Sequence, residues 1–228
     1  MSAFKFHVKR IIVISLLALP LLASPQTSAS IRFEMREFPK LPPKNLLVET
    51  FLSKFPELNN AGLKDWFYWT NYSRQNPKGF WDSVVAPIIR VYPQLNTSFA
   101  ASLKKTLYRT GVLPLLKPNR VLNQLATKNA IDIGAKGNLS HSSSNGISFQ
   151  ARVFSGGIAK CAAENLSLGF PNPVFSLVLL YLDEGVPDLG HRNNLLNPYY
   201  VEMGVGKITT KKGQELVVQD FACNQSER

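Results

Sequence analysis

Acidic residues, histidines and cysteines are all scarce in this chain of 228 residues, which has 15 acids against 26 bases, three histidines and two cysteines. The uncharged N-terminal run from Ile11 to Ala23 falls short of the roughly 20 apolar positions of a membrane-spanning helix, and Pro20 would disturb such a helix near its end. There is no coiled-coil or collagen-like bias and no internal repeat. With 45% hydrophobic and 18% charged residues, the composition excludes a disordered chain and predicts a globular one. The length suits one large domain or two small ones. No nucleic-acid motif accompanies the formal charge of +11, and the bases are scattered, with pairs at Lys104-Lys105 and Lys211-Lys212. The excess therefore reads as a solvated surface suited to anionic envelope polymers or membranes, not to DNA.

Lys5, Lys9 and Arg10 stand before the apolar run, which is the architecture of a signal peptide over residues 1–30. An uncleaved anchor is the alternative. Ser28, Ala29 and Ser30 offer a cleavage site before Ile31, and no nearby cysteine supports a lipid-modified terminus. Residues 1–30 hold three bases and no acids, so removing them lowers the charge from +11 to +8. The mature protein is expected to be soluble, monomeric, and secreted or periplasmic. Cys161 and Cys223 would then reach a compartment in which they pair.

Residues 31–62 read as a linker and N-terminal extension, because Pro39, Pro42 and Pro43 block regular structure before a short amphipathic helix between Leu46 and Phe55. Apolar periodicity predicts further helices over Leu63–Tyr72, Trp81–Val91, Ser98–Tyr108 with Gly111 as its cap, and from Pro118-Asn119 to Gly134 or Gly137. Asn172-Pro173 opens a buried helix over Val174–Leu182. A strand is expected around Ile158–Asn165, and a hairpin pairs Val201–Thr210 with Gln214–Cys223 across Lys211-Lys212-Gly213. The fold class is α+β.

Three motifs follow in order: Leu139-Ser140-His141-Ser142, Ala163-Glu164-Asn165-Leu166 and Gly190-His191-Arg192-Asn193-Asn194. With Met203-Gly204-Val205-Gly206 downstream and Asn71, Arg74 and Pro77 upstream, the set resembles bacterial members of the CAP (SCP-like) superfamily over about Leu63 to Cys223. The resemblance implies a CAP domain over 63–228, a three-layer α-β-α sandwich with a central antiparallel sheet, and a cleft of two histidines and two acids. Residue by residue, these are His141, Glu164 and His191. The second acid is Glu184, three positions after Tyr181, in preference to its neighbour Asp183.

The mature chain has two histidines, and both fall in these motifs. Two imidazoles and two carboxylates in one cleft can hold a divalent metal, zinc first, or share protons as a structural network. No His-Glu-x-x-His helix and no Gly-x-Ser-x-Gly elbow is present, so no catalytic residue is assigned. Ser142, Ser143 and Ser144 read as a polar turn into Asn145-Gly146. Arg192, Asn193 and Asn194 read as braces for backbone groups in the loop before Met203. Trp66, Phe67 and Trp69 read as core rather than as a lipid-facing patch. Two function classes remain: an extracellular binding module for a lipid, envelope polymer or protein, and a metal-dependent hydrolase using the same cleft.

Overall fold

A computed structural model describes residues 37–59, 62–137, 139–169 and 171–225. The expected signal peptide lies outside them. Among the described residues no helix is long and apolar enough to cross a membrane.

The first half of the chain is helical. Helices α1 (Leu46–Leu52) and α2 (Leu63–Gln75) precede a helical run over residues 77–91, formed by α3 (Pro77–Phe80), a π-helical turn and α4 (Ala86–Val91). Pro87 lies inside that run and has no N–H to donate to a helical ladder. The wide turn over Trp81–Val85, in which the Ala86 N–H reaches the Trp81 carbonyl, accommodates it in the first turn of α4. Helix α5 (Ser98–Arg109) ends at Thr110 in extended conformation, so the cap expected at Gly111 is not used. Trp66, Phe67 and Trp69 are buried. Val48, Leu52 and Leu58 join the same core as α2, although their segment read as an extension.

Helix α6 (Arg120–Lys136) is capped by the Asn119 side chain, which accepts from the Val121 and Leu122 N–H groups, and is closed by Gly137 in the left-handed conformation. Helices α7 (Phe149–Ser155), α8 (Pro173–Leu182) and α9 (Gly190–Leu195) complete the set. The sheet has the order β1-β3-β4-β2, from β1 (Lys117–Pro118), β2 (Ala162–Gly169), β3 (Glu202–Thr209) and β4 (Glu215–Ala222). Its long pairs are antiparallel, and only β1 lies parallel to its neighbour. Helices α6 and α7 cover one face and α2, α8 and α9 the other, which makes the three-layer α-β-α sandwich. Helix α6 rests directly on β3 because Gly204 and Gly206 carry no side chain. A Cβ at either would strike the backbone at Leu122-Asn123 or Ala126-Thr127.

Cys161 and Cys223 form the expected disulfide, with Cα atoms 5.5 Å apart, at the end of the β2–β4 pair. Arg74 is fully buried and donates to the carbonyls of Pro114, Leu195, Asn197 and Tyr200. Burial lowers its pKa to about 10. Arg74, not the 192–194 segment, therefore braces the chain leading into β3.

Candidate functional site

The first histidine sits in the turn after α6. There the Ser143 N–H donates to the Ile147 carbonyl and the Gly146 N–H to the Ser143 carbonyl, so the serines form the expected turn. Asp132 fixes it by accepting from the Ser144 N–H at 2.6 Å and the Ser144 hydroxyl at 2.5 Å. These same bonds hold the Asp132 carboxyl below its ordinary pKa.

His141 places Nδ1 2.9 Å from Glu164 Oε1. The other oxygen of Glu164 accepts from Arg152 Nη2 at 2.6 Å and Asn129 Nδ2 at 3.0 Å. Glu164 is buried in β2, while half of the His141 side chain, 49%, is exposed. With an ionised carboxylate, which only accepts, and a neutral ring, the imidazole N–H is on Nδ1 and Nε2 carries the lone pair.

The second pair has the same chemistry with different support. His191 Nδ1 lies 2.5 Å from Asp183 Oδ1, and Asp183 Oδ2 accepts from the Arg192 N–H at 2.8 Å. Only 12% of the His191 side chain is exposed. Glu184, the acid chosen on spacing, is not His191's partner: its Oε2 accepts from the Thr97 hydroxyl at 2.6 Å. The reason is local, since α8 ends at Leu182 and Asp183 turns left-handed at φ 55°, so the helical step from Tyr181 does not extend to residue 184. Asp tolerates that conformation better than most residues, and the turn directs its carboxylate at α9.

Both pairs abut β2. Asn165 Nδ2 donates to the His191 carbonyl at 3.4 Å, and Asn194 Nδ2 reaches Asn165 Oδ1 at 2.8 Å and the Glu164 carbonyl at 3.4 Å. Thus His141 bonds the Glu164 side chain, the backbone of His191 meets Asn165, the next residue of β2, whose side chain points to the other side of the strand, and Asp183 rather than Glu184 holds the His191 ring. Among the described residues no group of three or more His, Cys, Asp or Glu side chains is placed to hold a metal ion.

Residues 190–195 form a short helix where a loop was expected. Arg192 is a brace, but for other groups: it donates to the Tyr181, Leu182 and Phe99 carbonyls. Burial lowers its pKa.

Asn129, Arg152 and Asp220 were not singled out as site residues. Arg152 belongs to α7, whose signature, Ser148 as N-cap before Phe149, Arg152 and Val153 at helical spacing, is legible in retrospect. Asp220 pairs with Glu164 across β2 and β4 and is 1% exposed. Desolvation, then the Glu164 charge, raises its pKa well above the ordinary carboxylate value. Its alternation in phase with Leu216 and Val218 was the available signal, because it puts Asp220 on the same sheet face as those buried apolar side chains.

Residues 109–221 match the family model for CAP, the cysteine-rich secretory protein family. An extracellular protein containing an SCP domain from Bacillus anthracis str. Ames is 23% identical with a TM-score of 0.42, over 58% of this chain and 40% of that one. An outer surface protein from Borrelia burgdorferi is 20% identical with a TM-score of 0.42, over 59% of this chain and 91% of that one. A cysteine-rich secretory protein from Staphylococcus aureus subsp. aureus Mu50 is 20% identical with a TM-score of 0.35, over 64% of this chain and 38% of that one. The match therefore spans less than half the length of the first and third structures. No curated protein gives a significant match. The likeness to the CAP family is thus carried by residues 109–221, just under half of the chain.

Proposed function

We propose that this protein is an exported binding module whose cleft offers the Nε2 atoms of His141 and His191 to a divalent metal, and through it or beside it to an envelope component. One observation carries the reading: each imidazole has Nδ1 tied to a buried carboxylate, Glu164 or Asp183. That is how metal-ligating histidines are commonly oriented, with the carboxylate behind the ring rather than on the metal. Zinc suits such nitrogen donors, and two protein ligands leave two tetrahedral positions for solvent or a partner's group. Affinity is expected to be modest, since only two side chains donate.

The partner is drawn from lipids, envelope polymers and proteins, and the basic surface favours anionic members of that set. Binding is favoured over metal-dependent hydrolysis because the Glu164 and Asp183 side chains are 1% and 0% exposed, with no surface open to a water that either would have to deprotonate as a general base. The test is thermal denaturation with added zinc at neutral pH. A concentration-dependent rise in Tm that is lost in the folded His141→Ala/His191→Ala variant supports the reading. A rise that persists in that variant, or no rise in the parent protein, contradicts it.

A further inference from the structure

The face of the sheet that holds Glu164 and Asp220 continues, four residues along each strand, to Leu168 and Leu216. At roughly 3.3 Å per residue, that is about 13 Å from the acid pair. There the last turn of α6 and the tip of the β3–β4 hairpin flank an open cavity of about 200 Å³, smaller than the usual drug-sized pocket and so suited to a slender ligand rather than a bulky one. Its floor is aliphatic, made by Ile133, Leu139, Leu168 and Leu216. Leu168 is 43% exposed, an apolar side chain left facing solvent inside a concavity.

The rim has one sign of charge. Lys136, Lys211 and Lys212 line it, all exposed, and no acidic side chain does. Lys136 has a local structural reason, because a cation in the last turn of α6 complements the helix dipole. Lys211 and Lys212 have none of that kind, and neither makes an ion pair among the described residues. Their turn is fixed by the Gly213 N–H on the Thr210 carbonyl at 2.9 Å and the Thr210 N–H on the Gln214 carbonyl at 2.8 Å. Two cations are thus presented on an ordered turn over an apolar floor.

We propose that this cavity is a second binding site, separate from the histidine cleft, for a single-chain anionic amphiphile. The alkyl or acyl tail lies on the leucines and Ile133, and the carboxylate or phosphate head is met by the lysines. A short anion would gain only screened surface attraction, and a neutral tail would leave the ammonium groups unused. The combination supplies both apolar burial and charge-assisted hydrogen bonds.

The probes are laurate and dodecyl phosphate below their micelle concentrations, with acetate and dodecyl maltoside as controls, titrated into the intact exported protein and followed by calorimetry and amide NMR shifts. Saturable one-to-one binding of both anionic amphiphiles is expected, with shifts at Leu139, Leu168 and Lys211 and none at His141 or His191. The exposed-turn variant Lys211→Ala/Lys212→Ala should bind at least about tenfold more weakly while keeping its zinc response. Equal affinity for acetate or for the maltoside, or unchanged affinity in the lysine variant, overturns the proposal. So does binding to phosphatidylglycerol vesicles without binding to free laurate, which would make this a membrane-docking surface. The shift map of the parent protein stands whether or not the variant folds, and the separate zinc readout distinguishes failure here from failure of the cleft reading.

Discussion

His141 and His191 make the same bond, Nδ1 to a carboxylate, from opposite kinds of structure. His141 stands half-exposed on a turn, and its order comes from outside its own segment: Glu164 in β2, Arg152 in α7 on the His141 carbonyl at 2.8 Å, and Asp132 on the serine turn. His191 is nearly buried on α9, and its partner Asp183 sits eight residues earlier, at the cap of the preceding helix. One pair is therefore assembled by long-range packing on β2, and the other by a local helix-turn-helix geometry. The first should be the more easily disturbed by changes elsewhere, and the second the more costly to remove directly.

The sharpest way to break that asymmetry is to loosen β2. This strand is at the sheet edge and pairs only with β4, and the disulfide closes that pair beside Glu164. Cys161→Ser/Cys223→Ser should cost about 4 kcal/mol by the chain-entropy argument for a loop of this length, measured by urea denaturation. Hydrogen exchange should rise more over residues 162–166 than over α8 and α9. Equal loosening of both regions would mean that the two pairs share one support.

Removing the rings themselves should reverse the order. His191→Ala leaves the buried Asp183 carboxylate without its imidazole and should cost about 2 kcal/mol, whereas His141→Ala should cost less than about 1 kcal/mol, because water replaces an exposed ring. Similar costs in chemical denaturation would erase the distinction.

The smaller expected effect comes from Asp220. Its raised pKa means the folded chain holds this proton more tightly than the unfolded chain does. The associated stability is complete below the unfolded value of about 3.9 and falls as pH rises toward the folded value. Asp220→Asn keeps the shape and a donor toward Glu164 but cannot ionise. The variant should therefore gain on the parent protein as pH rises above 4, on the order of 1 kcal/mol between pH 5 and pH 7. A stability difference independent of pH would contradict the shift.

The same local-versus-distant contrast explains how much was legible in the sequence. The helices whose signals lie within themselves were readable: Asn119 caps α6 and Asn172-Pro173 opens α8, both as expected. The β3–β4 hairpin was readable from its alternation and its turn. Strand β2 begins at Ala162 and not near Ile158, since its limits are set by pairing with β4 rather than by the glycines around it. Helices α7 and α9 were missed because each is short, seven and six residues, and owes its stability to packing rather than to a repeating apolar stripe.

Motif order singled out His141, Glu164 and His191, and His141 does meet Glu164. The choice between Asp183 and Glu184 turned on one backbone conformation, the left-handed cap at residue 183, which spacing from Tyr181 does not encode. Asn129 and Arg152 reach Glu164 only through tertiary packing, from positions 35 and 12 residues away in sequence.

The central claim is that both imidazoles donate from Nδ1 to a carboxylate and leave Nε2 as the open nitrogen. Long-range proton–nitrogen NMR on selectively labelled histidine in the intact exported protein reads this directly above the pH at which the rings are protonated. Both rings are predicted to be Nδ1–H tautomers, with added zinc shifting the two Nε2 resonances. Nε2–H tautomers at either ring, or zinc perturbing Nδ1 as the bound atom, would contradict the account.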